Sequence, residues 1–118
     1  MLTLPPRTHT TVLVVAPPHR LADLDRHLPS GWGVVHRTDL PAGGRDPDIV
    51  VLDDPLPRTV TAACLRHPAA AIVAVLTPYS DHQDVVDVLE AGADACVRSG
   101  TTTVVAAHVE ACQRRQAA

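Results

Sequence analysis

Two consecutive acids, Asp53 and Asp54, follow an apolar run at residues 49–52 and precede a Pro-Leu-Pro turn. Four aliphatic residues in a row are typical of a strand that is buried on both faces of a parallel sheet. Carboxylates at the carboxyl end of such a strand lie where open α/β sheets place their binding sites. Because successive strand residues point to opposite faces, Asp53 is the candidate site residue and Asp54 is expected to be structural. The competing interpretation is that an aspartate before proline is only a turn device.

Cysteine and histidine, the other residue types that commonly bind metals or act in catalysis, form no recognisable site. The three cysteines are widely spaced with no Cys-x-x-Cys pair, and no two of the seven histidines are four residues apart. The chain also has no Gly-rich phosphate loop and no spacing typical of a nucleophile–base pair. The sequence therefore favours a protein that is not an enzyme and carries no cofactor.

The composition fits one globular domain of 118 residues, because 46 % of them are hydrophobic. A formal charge of −3 gives no electrostatic basis for direct binding of nucleic acid or of an anionic membrane. No apolar run is long enough for a signal peptide or a membrane helix, so we expect a cytoplasmic protein. All ten basic residues are arginines, which leaves no lysine for any site.

Strands and helices are predicted to alternate along the chain. Aliphatic runs predict five strands, at residues 11–15, 32–36, 48–53, 71–76 and 94–98. Amphipathic spacing predicts helices at 19–28 and 58–67, a third that ends at Ala91-Gly92, and a last one that begins at Thr101 or Thr102. Residues 37–46 contain Pro and Gly-Gly and are predicted to form a loop or a single turn. This alternation predicts a parallel sheet with helices on both faces.

Local patterns predict how the helices begin and which side of each is buried. Ser80 and Gln83 match a capping box at the start of the third helix. The residues expected on the buried face of the first helix are Leu21, Leu24 and Leu28. Those expected to face inward from the second helix are Val60, Ala63 and Cys64. Those expected on the buried side of the last helix are Val104, Val105, His108, Val109 and Cys112.

Four segments, spanning nearly the whole chain in order, resemble the CheY-like receiver domain of two-component response regulators. They are residues 12–15, 47–57, 75–80 and 91–95. The resemblance implies a flavodoxin-like α/β fold, a five-stranded parallel doubly wound sheet of strand order 2-1-3-4-5. The helix between strands 2 and 3 is expected to be short or missing. The resemblance also implies that residues 1–118 form a single receiver-like domain.

By the resemblance, two residues of this chain match functional residues of the family, and two others differ from the residues that the family has there. Asp53 takes the position of the phosphoacceptor aspartate, and Thr77 takes that of the hydroxyl that senses the phosphoryl group. The family holds Mg²⁺ with two acids just after the first strand, where this chain has Ala16 and Pro17. The first half of the expected metal site is therefore replaced by residues without side-chain oxygen.

The fifth strand departs from the family at two further positions. Ser99 stands where the family has its lysine, and Cys96 stands where it has an aromatic switch residue. Phosphoryl transfer relies on cations that neutralise the developing charge, and Mg²⁺ prefers near-octahedral oxygen ligation. Without the acids and the lysine, Asp53 is the one candidate side-chain ligand for Mg²⁺, and no other metal site is predicted.

The altered positions favour an atypical receiver, or pseudo-receiver, that acts in signal transduction without standard Mg²⁺-dependent phosphorylation. By the resemblance, its partner is another protein or a second copy of itself, bound through the face formed by about residues 81–112. Two alternatives stay open. One is a conventional phosphorelay receiver that a histidine kinase phosphorylates on Asp53, for example as the regulatory part of a transcription regulator. The other is a receiver that senses a small ligand in the vacated pocket beside Ala16 and Pro17.

Overall fold

A computed structural model describes residues 10–117, which form a five-stranded parallel sheet flanked by three α-helices. The strands are β1 (Thr11–Val15), β2 (Gly33–Arg37), β3 (Ile49–Asp53), β4 (Ala71–Leu76) and β5 (Ala95–Arg98). Their order in the sheet is β2-β1-β3-β4-β5, and every neighbouring pair is parallel. The predicted fold class and strand order are confirmed, and each strand lies within one residue of its expected bounds.

Helices cover both faces of this sheet. They are α1 (Pro57–Arg66), α2 (His82–Glu90), α3 (Thr102–Ala117) and a short 3-10 helix (Leu24–His27). Alternate residues of a strand point to opposite faces, so Val50 packs in the core under α1 and α2, while Val51 packs under α3 and the 3-10 helix. The longest helix, α3, has 16 residues. Within residues 10–117, no helix combines the length and the apolar character that crossing a membrane requires.

The prediction of a helix over residues 19–28 is wrong in extent. Helical geometry is limited to the single 3-10 turn, because Leu21 has a φ of +58° in the left-handed region, where an α-helix cannot continue. Tight turns replace the helix: the Arg20 N–H donates to the Pro17 carbonyl at 3.0 Å, and the Leu24 N–H donates to the Leu21 carbonyl at 3.1 Å. Leu21, Leu24 and Leu28 are nevertheless all buried, so their spacing did mark the inward side of the segment.

The connection between β2 and β3 contains no helix, as predicted. It passes over the outer part of the sheet and is tied to α1 by one arginine. The Nη1 atom of Arg66 donates to the carbonyls of Leu40 and Pro41, at 3.0 and 3.1 Å. The loop therefore has a defined path, and its Leu40 side chain packs against the core under α1 and α2.

The capping box at the start of α2 lies one residue later than predicted. The Asp84 N–H donates to Oδ1 of Asp81 at 3.0 Å, and the Asp81 N–H donates to Oδ2 of Asp84 at 3.1 Å. Ser80 is not the cap because its hydroxyl donates to the Thr77 carbonyl at 2.7 Å, which closes the preceding turn. The hydrogen bond from the Asp84 N–H lowers the pKa of the Asp81 carboxyl.

The predicted buried sides of the other helices are partly right. In α1, Val60 and Ala63 are fully buried, whereas Cys64 is half-buried. Its thiol donates to the carbonyl of Gly92, which closes α2 with a φ of +123°. The buried residues of α3 are Val105, Ala106, Val109 and Cys112. Val104 and His108 are exposed, so their predicted burial is wrong. The buried side of α3 instead includes Ala106, which was not expected there.

Candidate functional site

Asp53 ends β3 at the carboxyl edge of the sheet, and Arg20 binds both of its carboxylate oxygens. The Nη2 atom of Arg20 lies 3.0 Å from Oδ1, and Nε donates to Oδ2 at 3.2 Å. The Asp53 side chain is only 7 % exposed, whereas that of Arg20 is 36 % exposed. Hydrogen bonding to Asp53 raises the pKa of the guanidinium above its ordinary value. The pair is thus a bidentate, charge-assisted contact, one of the stronger polar interactions that a protein forms.

The segment after β1 places this arginine. The Ala16 N–H donates to the Arg37 carbonyl at 2.9 Å, which extends the pairing of β1 and β2 by one residue. The turn from Pro17 to Arg20 then reverses the chain, and the buried Leu21 side chain anchors it in the core. As a result, Arg20 reaches the end of β3 although it lies 33 residues away in sequence.

The residue that follows each member of the ion pair has an unusual backbone conformation. Leu21 follows Arg20 with a φ of +58°, and Asp54 follows Asp53 with a φ of +47°. Between residues 10 and 117 these are the non-glycine residues with positive φ. Such conformations cost roughly 1–3 kcal/mol each and persist where the surroundings enforce them. The ion pair therefore lies between two locally strained turns.

Asp54 lines the same cleft as Asp53, while the hydrogen bonds of the Arg20 guanidinium go to Asp53. The Asp54 N–H donates to the Val75 carbonyl at 2.7 Å, and its side chain is exposed. Thr77 is also exposed; its carbonyl accepts from Ser80, and the residue lines a neighbouring groove together with Asp54. The cleft that Asp53 does line has a volume of about 250 Å³.

The positions after β1 and at the end of β5 have other roles. Ala16 is buried and Pro17 exposed, and both line the cleft beside Asp53 without supplying a side-chain oxygen. The Ser99 hydroxyl accepts from the Thr101 N–H at 3.0 Å, next to the start of α3. Cys96 is half-buried, and this burial raises the pKa of its thiol. Neither Ser99 nor Cys96 contributes a charge to the cleft.

The residues around Asp53 do not fit a bound Mg²⁺ ion. The ion prefers near-octahedral oxygen ligation with one or two carboxylates, and Asp53 already has both oxygens paired with a guanidinium. In the part of the chain that the structure describes, no three His, Cys, Asp or Glu side chains form a group that could hold a metal ion.

The sequence did not identify Arg20 as a site residue. The cation expected from the family is the lysine near the end of β5, which this chain lacks. The arginine closest to that position, Arg98, donates to the Ser80 carbonyl at 3.1 Å instead. The available signal was that Arg20 is a cation in the segment after β1, which ends at the same edge of the sheet as Asp53. Parallel neighbours bring their carboxyl ends together.

No protein-family model matches the chain, and no curated protein matches it. Solved structures do match. The BeF₃-activated receiver domain of DrrB is 20 % identical, with a TM-score of 0.77 over 91 % of this chain and 99 % of that one.

Two further structures extend this likeness. The response regulator DrrB of Thermotoga maritima, an OmpR/PhoB homologue, is 20 % identical with a TM-score of 0.78, over 92 % of this chain and 54 % of that one. A CheY-like receiver domain protein of Methanospirillum hungatei is 18 % identical with a TM-score of 0.76, over 92 % of this chain and 97 % of that one. At such identities the likeness concerns the fold: this chain has the five-stranded parallel α/β fold of response regulator receiver domains.

Proposed function

We propose that this protein is an atypical receiver domain that takes part in signal transduction by binding a protein partner or a second copy of itself. In this proposal Asp53 is an anchor of the scaffold and is not phosphorylated in a standard Mg²⁺-dependent reaction. The observation that carries the proposal is the bidentate Arg20–Asp53 ion pair. Because one fold serves many functions, the role follows from the chemistry of the site and not from the fold.

The ion pair opposes phosphorylation for a chemical reason. A carboxylate accepts a phosphoryl group by attacking phosphorus with an oxygen lone pair, while cations neutralise the transferring group. Here the guanidinium occupies both oxygens of Asp53 and lowers their nucleophilicity. Ala16 and Pro17 offer no carboxylate, and the acids that do line the cleft, Asp39, Asp53 and Asp54, form no group that could hold a metal ion. The same cation that stabilises the folded site thus competes with the reaction.

Exposed aliphatic side chains support the binding role of the face formed by α2, β5 and α3. Val86 and Leu89 on α2 and Val104 on α3 are each about 40 % exposed. Val86 and Leu89 are three residues apart and so lie on one side of α2, and exposed aliphatic side chains that lie together are typical of interaction sites. We infer that the partner contacts this face.

Phosphorylation of Asp53 is tested by incubating the purified protein with acetyl phosphate and Mg²⁺ and measuring its intact mass. We expect no stable labelling of the wild type. Asp53→Asn serves as the control for site-specific labelling. Stoichiometric addition of one phosphoryl group to the wild type, and its loss in Asp53→Asn, contradicts the proposal and supports the conventional phosphorelay receiver instead.

The interaction face is tested by sedimentation velocity of the wild type and of Leu89→Glu, alone and with any candidate partner. We expect Leu89→Glu to weaken association at least tenfold, because it places a charge in a desolvated contact. Leu65→Glu is the matched control, since Leu65 on α1 is 78 % exposed and lies outside this face. Equal effects of the two substitutions would exclude the α2–β5–α3 face.

A further inference from the structure

The cleft beside Asp53 and the groove that Thr77 lines meet at the carboxyl edge of the sheet. The groove has a volume of about 340 Å³ and lies between the β3–α1 turn and α2. Residues 54–56 line both hollows, so together they form one carboxyl-edge trough. It extends from Asp39 in the β2–β3 loop to Tyr79 after β4. Small ligands usually bind in hollows that enclose them, whereas an elongated trough suits an extended polypeptide.

Every charged side chain that lines the trough is a carboxylate. These residues are Asp39, Asp53, Asp54, Asp84 and Asp87. Arg20 neutralises Asp53, and among residues 10–117 no cation forms an ion pair with the other four acids. Of the nearby arginines, Arg98 donates to the Ser80 carbonyl, and Arg58 is exposed on α1 without lining the trough. A hollow that is lined by one sign of charge attracts groups of the opposite sign.

The acids are spread along the trough and do not converge on one point. Within the described part of the chain, no three acidic, His or Cys side chains form a group that could hold a metal ion. Asp84 and Asp87 each use one oxygen locally, on the Asp81 N–H at 3.1 Å and on the Gln83 amide at 2.8 Å, and each keeps a second oxygen for a partner. A complementary partner therefore has distributed positive charge, as on the basic side chains of a polypeptide.

Two large exposed side chains also line the trough. Leu56 is 54 % exposed and Tyr79 is 95 % exposed. Exposed apolar groups that lie together at a concave surface are typical of interaction sites, and tyrosine is one of the residues that contribute most to binding. The Tyr79 ring can in addition bind a guanidinium or ammonium group on its face. The exposed aliphatic residues of the α2–β5–α3 face do not line the trough, so the two surfaces are distinct.

From the charges and the exposed side chains together, we propose that the carboxyl-edge trough binds an extended polypeptide segment rich in arginine or lysine. The cationic side chains of this segment pair with the aspartates that line the trough, and an apolar side chain packs on Leu56 and Tyr79. The proposal goes beyond the function proposed above, because it requires neither an unphosphorylated Asp53 nor binding through the α2–β5–α3 face.

The proposal is tested by NMR titration of the ¹⁵N-labelled full chain with a short peptide of arginine, leucine and serine. We expect saturable shifts of the amides of Asp54, Leu56 and Tyr79, and a lower affinity at higher salt concentration. A peptide with glutamate in place of arginine leaves these signals unchanged. Spermine, which has distributed positive charge but no apolar side chain, binds about tenfold more weakly. Equal affinity for spermine would overturn the assignment of a polypeptide, and shifts centred on the α2–β5–α3 face would overturn its location.

Substitutions of exposed residues locate the contacts. Asp54→Asn removes one charge and keeps a side chain that tolerates the left-handed backbone, so it should weaken binding of the arginine peptide about two- to fivefold. Asp25→Asn, at an exposed position outside the trough, is its matched control and leaves the affinity unchanged. Tyr79→Ser should weaken the same peptide about threefold or more, whereas Leu65→Ser on α1 has no effect. The proposal is overturned if no saturable shifts occur, or if Asp54→Asn and Tyr79→Ser bind the peptide as tightly as the wild type.

Discussion

Replacing Arg20 by methionine removes the guanidinium from Asp53 but keeps an unbranched side chain of similar length. The Asp53 carboxylate, 7 % exposed, then loses both charge-assisted hydrogen bonds. Leaving one member of a fully buried ion pair unpaired costs about 3–5 kcal/mol. Because the Arg20 side chain is 36 % exposed, solvent screens this pair, and we expect a smaller loss of about 1–3 kcal/mol in the free energy of unfolding. For a domain of this size that corresponds to a decrease in Tm of about 4–12 °C.

Urea unfolding measures this loss directly. Trp32 is partly buried against the core and serves as the fluorescence probe, with circular dichroism as a second probe of the same transition. Arg58→Met, which changes an exposed arginine of α1, is the matched control and should change the stability by less than about 0.5 kcal/mol.

A double-mutant cycle separates the ion pair from other effects of the substitution. Asp53→Asn alone is expected to cost less than Arg20→Met, because a partly exposed guanidinium is easily rehydrated whereas a buried carboxylate is not. Adding Asp53→Asn to Arg20→Met should therefore recover about 1 kcal/mol or more. If the two changes are additive, or if Arg20→Met behaves like Arg58→Met, the ion pair does not stabilise the site and the reasoning from its geometry is refuted.

Two further predictions concern helix ends. Asp81→Ala should lower the Tm at pH 7 more than Ser80→Ala does, because Asp81 caps α2 and Ser80 only closes a turn. The pKa of Asp81 is lower in the folded state than in the unfolded chain. The difference in Tm between the two variants is therefore fully present above the ordinary aspartate pKa, and it should disappear as the pH falls through the folded-state pKa. A constant difference in Tm between pH 7 and pH 2 would contradict this prediction. Gly92→Ala should cost about 2 kcal/mol or more, because φ is +123° and the new Cβ would lie 2.6 Å from the Cys64 sulfur. Gly43→Ala, with no atom near its added Cβ, is its control and should be close to neutral by urea unfolding.

The strands could be predicted well because their aliphatic runs leave few alternatives. Residues 71–76 are buried along their whole length, and such a run is compatible with little other than a central parallel strand. The capping box shows the limit of the same approach. Ser80–Gln83 is the better match to the capping-box pattern, yet the box forms in the adjacent register at Asp81 and Asp84. The Thr77 carbonyl decides between them by accepting the Ser80 hydroxyl, and that contact follows only from the turn geometry.

The location of the candidate site could be predicted from the sequence, but the ion pair between Arg20 and Asp53 could not. The end of β3 follows from its aliphatic run, and Asp53 lies there as predicted. Its partner depends on the left-handed conformation of Leu21, which converts the expected helix into a turn and directs Arg20 across the sheet edge. A leucine rarely adopts that conformation, so residue types alone gave no reason to expect it. The pairing results from tertiary packing that overrides a local preference.

The open edge at β2 gives the sheet an uneven resistance to local unfolding. This strand pairs with β1 alone, and three of its five residues are exposed, whereas β4 has a neighbour on each side and is buried throughout. Amide hydrogens should therefore exchange with solvent fastest in β2 and slowest in β3 and β4. The edge strand β2 is therefore the part of the sheet expected to open most readily while the central strands stay paired.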